Sequence, residues 1–219
     1  MVSIMRIHHI SDCHGHFRRI MDAGPSEPPD LWLVTGDFFP NSPGYSFDQE
    51  NQWQMRWWRN NYPSFLSRLK GKPLISVAGN HDWLELANLC SARGVEAYKV
   101  TVSGFTFREL KFAGFREIPQ IHGRWQGEVP ESRLRELSEL ALAADPDVLV
   151  THAPPYGILD GLTGNDHIGI GPLATKLSTM PHKIKLHAFG HVHEHGGEML
   201  RMGDTLFSNA AVALNVIEL

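Results

Sequence analysis

Ile4-Met5-Arg6-Ile7-His8-His9-Ile10-Ser11-Asp12-Cys13-His14 carries an apolar run straight into a polar loop, and the same step recurs along the chain. Residues 31–34 lead into Thr35-Gly36-Asp37, and residues 74–78 into Gly79-Asn80-His81-Asp82. Residues 148–150 lead into Thr151-His152, and residues 186–189 into Gly190-His191-Val192-His193. Short runs rich in Val, Ile and Leu and bounded by Gly read as strands buried on both faces. Between them lie helical candidates over residues 17–23, 49–69, 83–93, 130–144 and 172–180. Pro63 is expected to divide or kink the second. Pro130 starts the fourth, with Leu134, Leu137, Leu140 and Leu142 as its apolar positions. Strands alternating with helices indicate an α/β layer structure with parallel pairing. In such sheets ligands collect at the carboxyl ends of strands, where all five polar loops would lie.

Two segments read differently. Residues 98–102 and 105–108 alternate around Ser103-Gly104, as an antiparallel hairpin would. Residues 197–219 read as short strands turning at Gly203-Asp204. No repeat, low-complexity tract or linker interrupts the chain, so a single domain over residues 1–219 is expected.

Composition narrows the class. The 219 residues are 42% hydrophobic and 20% charged, as in a globular protein. No apolar run approaches the roughly 20 residues that span a bilayer, and the N-terminus lacks the pattern of a secretory signal. Cys13 and Cys90 are too few for a disulfide framework, so a cytoplasmic location is expected. A net charge of −4 argues against a strongly basic face for duplex nucleic acid. Arg18, Arg19, Arg56, Arg59 and Arg124 could still converge into a local patch. The 13 histidines are the compositional anomaly, and imidazole is both a common metal ligand and the usual acid–base group near neutrality.

Asp12 and His14 are two residues apart, as are His191 and His193. In extended backbone such pairs point the same way and can converge on one point. Asp37 offers two carboxylate oxygens, enough to bridge two ions. Asn80 supplies a neutral carbonyl oxygen and His152 another nitrogen. This oxygen and imidazole set lacks thiolate and suits two divalent transition metals, manganese foremost, with iron, zinc or nickel meeting the same donors. Two such ions bring four positive charges against two carboxylates, a surplus that attracts phosphate and favours deprotonation of a water.

The ordered series Asp12-x-His14, Gly36-Asp37, Gly79-Asn80-His81-Asp82, His152 and Gly190-His191-x-His193 resembles the signature of calcineurin-like metallophosphoesterases. The resemblance implies a four-layer αββα sandwich of two mixed sheets flanked by helices, with the metal site at one edge. It implies Asp12, His14, Asp37 and His193 on one metal, and Asp37, Asn80, His152 and His191 on the other. It further implies that His81 and Asn80 contact the phosphate, that His81 helps protonate the leaving oxygen, and that Asp82 orients His81. Residues 151–160, from Thr151-His152-Ala153-Pro154-Pro155 onward, are similar to a segment of a phosphodiesterase-like subgroup that includes mammalian metallophosphoesterase-domain brain proteins. Phe38-Phe39-Pro40-Asn41 is bulkier than that pattern and is expected to shape the pocket wall.

The remaining histidines have plainer readings beside functional ones. His8 and His9 read as packing residues within the first strand. His16 and His122 are candidate substrate contacts, the latter in a Gly- and Trp-bearing loop that could overhang the site. His195 and His167 are candidates for supporting the ligands. Trp53, Trp57 and Trp58 read as a core-facing stripe, with a base-stacking platform as the alternative. Cys13 should face away from the metals, and Ser11 and Thr151 lack any nucleophile elbow.

The expected function is metal-dependent hydrolysis of a small phosphoester or nucleotide by activated hydroxide, with a phosphodiester favoured. A phosphomonoesterase or protein phosphatase is the alternative, then a single-strand nuclease. A non-enzymatic scaffold would be expected to lose ligands, and every ligand type is present.

Overall fold

The computed structural model describes residues 4–44, 46–164 and 166–219. The chain runs β1 (Arg6–Ile10), α1 (Phe17–Asp22), β2 (Leu31–Val34), α2 (Glu50–Leu69), β3 (Leu74–Ser76), α3 (Leu86–Ser91) and β4 (Ala97–Lys99). It continues through β5 (Phe105–Phe107), β6 (Leu110–Phe115), β7 (Ile118–Pro119), β8 (Glu128–Val129), α4 (Glu131–Ala143) and β9 (Val148–Thr151). The last elements are α5 (Gly171–Thr179), β10 (Leu186–Phe189), β11 (Met199–Met202), β12 (Thr205–Asn209) and β13 (Leu214–Glu218).

These strands form a five-stranded sheet ordered β13-β1-β2-β3-β4 and a six-stranded sheet ordered β11-β12-β10-β9-β6-β5. Three apolar clusters stack them into four layers. Ile7, Leu33 and Ile75 of the first sheet meet Phe112, Val148 and Leu186 of the second. Trp32, Val34 and Leu74 turn the other way, onto Phe17, Trp58, Phe65 and Cys90 of α1, α2 and α3. Leu149 and Phe115 pack on Leu134, Leu137 and Leu173 of α4 and α5. Alternate residues of each central strand thus enter different cores, which explains their near-continuous apolarity. The expected sandwich of two mixed sheets flanked by helices is the observed fold.

Several local expectations differ from the structure. Ser103-Gly104 is not a hairpin turn: β4 pairs in parallel with β3 in one sheet, while β5 pairs antiparallel with β6 in the other. Residues 100–104 are where the chain crosses between sheets, and the reversal comes at Arg108, with φ of 51°. Local alternation could not separate the two, because both strands alternate. Pro63 neither divides nor ends α2, which runs through it for 20 residues; Pro63 is exposed, so the carbonyl it leaves unpaired can turn to water. The helix expected over residues 83–93 starts only at Leu86, because Trp83 donates its backbone N–H to Gln54 Oε1 (2.9 Å). The buried face of α4 is Leu134, Leu137, Ser138 and Ala141, leaving Leu140 exposed.

His9 and His187 are packing residues with full hydrogen bonding on at least one nitrogen. His9 bridges Ser208 Oγ and Thr35 Oγ1, both at 2.9 Å, and His187 Nε2 lies 2.9 Å from Thr151 Oγ1. Burial pushes both imidazoles down to about 3. The unfolded chain therefore binds protons below pH ~6.5 that the folded one refuses. Stability present above that pH should be lost as pH falls, by about 3 kcal/mol per unit for the pair around pH 5. Urea unfolding of metal-free protein between pH 7.5 and 5 checks this, and His187→Gln should lower the slope by about 1.4 kcal/mol per unit.

Candidate metal centre

The five expected loops meet at one sandwich edge because β1, β2 and β3 are mutually parallel, as are β6, β9, β10 and β12. Each therefore delivers its carboxyl end to the same side. The side chains do not converge by strand alternation, however. Asp12, His14, Asp37 and His191 all adopt left-handed backbone, with φ of 52°, 41°, 49° and 70°. Such conformations cost of order 1–3 kcal/mol each and cluster where function demands them. The i, i+2 pairs are aimed by kinks just past the strands.

Three groups of donors result, each with its ligand atoms within 4.8 Å of one another: Asp12, His14 and His193; His14, Asp37 and His81; and Asp37, His152 and His191. Asp37 sits between them. Its Oδ1 accepts the His81 backbone N–H at 2.7 Å. Its Oδ2 faces His152 Nε2, His14 Nε2 and His81 Nε2 at 3.4, 3.9 and 4.0 Å. Oδ2 is thus the oxygen that faces the imidazoles on both sides. Asp12 is divided likewise: Oδ2 accepts the His191 N–H (2.8 Å), while Oδ1 lies 3.2 Å from His193 Nε2.

His152 supplies the clearest test of whether the donors suit a metal. Its Nδ1–H donates to the Thr35 carbonyl (2.7 Å), so Nε2 of the neutral ring is an acceptor. That nitrogen nevertheless points at Asn80 Oδ1, 2.9 Å away, and at Asp37. Acceptors converging on one point call for a cation or a proton between them. Nitrogen–oxygen spacings of 3–4 Å are those of two ligands each roughly 2.0–2.2 Å from a common ion. The donor set fits.

The electrostatics agree. Burial opposes charging His152, yet Asp37, by charge and hydrogen bond, overrides it and pushes the imidazole up to about 9. Burial opposes ionising Asp37 too, and the surrounding imidazoles hold it well below the usual range. His191 is pushed down to about 4 by burial and by the neighbouring His152. Burial lowers His81 as well.

His81 is oriented differently from expectation. Its Nδ1 pairs with Asn41 Oδ1 at 2.9 Å, leaving Nε2 toward Asp37. Asp82 turns inward instead: Oδ1 accepts the Phe39 N–H (3.1 Å) and Oδ2 the Gly79 N–H (2.9 Å). The tight turn of residues 79–82 needs those backbone donors satisfied, and this takes the Asp82 carboxylate away from the imidazole. All four carbonyls of that turn are also held from outside. Arg116 Nη2 donates to the Gly79 and Asp82 carbonyls, Gln126 N to Asn80 (3.0 Å), and Gln54 Nε2 to His81 (2.6 Å).

The Trp-bearing helix α2 proves to be a support. Glu50, Gln54 and Trp58 follow at i, i+4, i+8 and all are fully buried. Glu50 accepts from Ser42 N and Oγ (2.9 and 2.6 Å) next to Asn41, and Gln54 holds the His81 turn. Buried polar residues at helical spacing among apolar ones were the available signal. Trp57 and Trp58 pack with Phe38 and Phe39 in the core, so the Phe pair does not form the pocket wall. The aromatic ring that does reach the site is Trp125, its centroid 4.0 Å from that of His81. Glu128 holds its loop by accepting the N–H groups of Ile121, His122, Gly123 and Trp125. The loop overhangs the site as expected, but His122 is exposed on it. His16 is exposed at the start of α1, His195 pairs with Glu198 (3.1 Å), and His167 with Asp160 (2.6 Å). His8 packs edge-on against Trp32. Asn209, the last residue of β12, went unread in the sequence; its Nδ2 donates to the Val192 carbonyl (3.0 Å) between the two site histidines.

Crowding explains the glycine before the turn. A Cβ on Gly79 would strike the Asp37 carboxylate and backbone. Gly79→Ala should therefore push Asp37 aside and lower manganese affinity by about 10–100-fold, like other changes behind a ligand, measured by titration with a metal indicator.

The calcineurin-like phosphoesterase family model matches residues 5–195. The chain belongs to this family. A Caenorhabditis elegans UPF0046 protein, K07C11.7, is 34% identical over 51% of this chain and 35% of its own length. A probable cyclic nucleotide phosphodiesterase of Synechococcus is 27% identical over 76% of this chain and 58% of its own. Human metallophosphoesterase domain-containing protein 1 is 32% identical over 52% and 33%. The chain thus spans between a third and three fifths of the length of these relatives. Among the described residues no helix is long and apolar enough to cross a membrane.

Proposed function

We propose that the protein hydrolyses phosphodiesters on a centre of two divalent metals, manganese foremost. Asp12, His14, Asp37 and His193 would hold one ion, and Asp37, Asn80, His152 and His191 the other. The observation that carries this reading is that Asp37 belongs to two donor clusters, one of them joined through His14 to Asp12 and His193, with the Nε2 of His152 facing acceptors. Bound ions would neutralise phosphoryl oxygens and supply hydroxide near neutral pH.

The chain's own residues then divide the work. Asp37 would be shared between the two ions, and the His81 N–H keeps its Oδ1 in place. His81 contacts the phosphate and presents Nε2 as the proton donor to the leaving oxygen, with Asn41 rather than Asp82 fixing the ring. Burial keeps His81 mostly neutral by itself; an anionic phosphoester beside it favours the charged form and so couples protonation to substrate binding. Trp125 covers the ring and limits water at that proton.

His81 as an acid serves the alkoxide leaving group of monoesters and diesters alike. The diester preference follows the name of the Synechococcus relative and the likeness of residues 151–160 to a phosphodiesterase-like segment. Turnover of bis-(p-nitrophenyl) phosphate should exceed that of p-nitrophenyl phosphate under added manganese, and predominant monoester turnover would overturn the diester reading.

A further inference from the structure

A cleft of about 950 Å³ opens beside the metal centre, with His191 as their shared wall. Its walls are mostly apolar: Pro119, Ile121, Leu134, Tyr156, Leu162 and Ile168 line it. Ile121 is 47% exposed and Tyr156 52%, so these apolar surfaces face the opening rather than a core. Glu131 is the carboxylate on its wall, and it is paired with Arg135 Nη2 at 2.7 Å. Large, mostly apolar clefts with a few fixed polar groups are the usual form of a small-ligand site.

One wall is built to stay in place. The Tyr156 and His167 rings lie 5.1 Å apart at 48°. His167 Nδ1–H donates to Asp160 Oδ1 at 2.6 Å. Asp160 is fully buried and is itself pinned by the N–H groups of Gly157 and Gly169, both at 3.0 Å. Two aromatic faces are thereby presented at an angle suited to offset or edge contact with a third ring. The sequence segment that holds this wall, residues 151–160, includes the metal-site residue His152.

We propose that this cleft receives the organic arm of the substrate, and that it selects a planar aromatic group carried on the phosphate. The proposal rests on the phosphoesterase reading above, since His191 joins the cleft to the metals. A flat ring gains apolar burial in the cleft and contact with the Tyr156–His167 wall.

Binding of phenylphosphonate and methylphosphonate to manganese-loaded protein, measured by calorimetry, tests it. Phenylphosphonate should bind about 10–100-fold more tightly than methylphosphonate. Tyr156→Ala should remove the gain and Tyr156→Phe keep it. Equal affinity for phenyl and methyl ligands would overturn the cleft assignment and leave the metal centre standing. If neither phosphonate binds, the metal reading fails. The cleft is then decided by 2-naphthol fluorescence with metal-free protein, where binding lost in Tyr156→Ala supports it and no binding overturns it.

Discussion

Asp37→Ala is expected to lose the manganese of both sites together, and activity with it should fall to the level of metal-free protein. Asp37 Oδ2 is the point that His14, His152 and His81 all face, within 3.4–4.0 Å. Removing it takes away the shared donor and half of the carboxylate charge that offsets the ions. The fold should survive, because the Asp37 side chain contributes to no apolar core, and the loss of one backbone acceptor at His81 is a cost of roughly 1–3 kcal/mol. Metal content per chain by mass spectrometry, alongside circular dichroism, reads the result. Asp37→Asn keeps the shape without the charge and should retain at most a weakly held ion. Unchanged metal content in Asp37→Ala would refute the shared-ligand role.

His81→Ala should leave metal content intact and slow hydrolysis by about 10²–10⁴-fold for esters with poor leaving groups. Esters of p-nitrophenol, whose leaving oxygen needs little protonation, should suffer least. A uniform loss across leaving groups would show that His81 binds phosphate without donating a proton. Asn41→Ala, which frees the ring from its 2.9 Å partner, should reproduce the same leaving-group trend at about 10–100-fold. Asp82 lies in the same turn but bonds Phe39 and Gly79, so Asp82→Asn should show in stability rather than in that trend.

Where local sequence and tertiary environment agreed, reading was direct. The strands β1, β2, β9 and β10 announce themselves because both faces are buried, and the polar residue that ends each run has no apolar reason to be there. The supporting residues were less visible because their partners are remote in sequence. Gln54 meets His81 across 27 positions, Arg116 meets Gly79 across 37, and Asn41 meets His81 across 40. Polar residues on the core face of α2 hinted at such a role without naming the partner. The hairpin expected around Ser103-Gly104 failed for a related reason. Alternation reports that a segment is a strand, and the choice of neighbour depends on which sheet can still accept it.

By itself the sequence determined the layer class, the five loops and the Asp and His side chains that gather at their tips, since burial periodicity and side-chain chemistry are properties of short segments. Tertiary structure alone decided how the donors are aimed. Left-handed backbone at Asp12, His14, Asp37 and His191 is unfavourable locally and persists only because packing and hydrogen bonds from distant elements hold it. It also decided which oxygen of Asp37 faces the imidazoles, which residue orients His81, and that an apolar cleft opens beside His191. Each of these depends on groups far apart in the chain coming within a few ångströms, information that no spacing of residues contains.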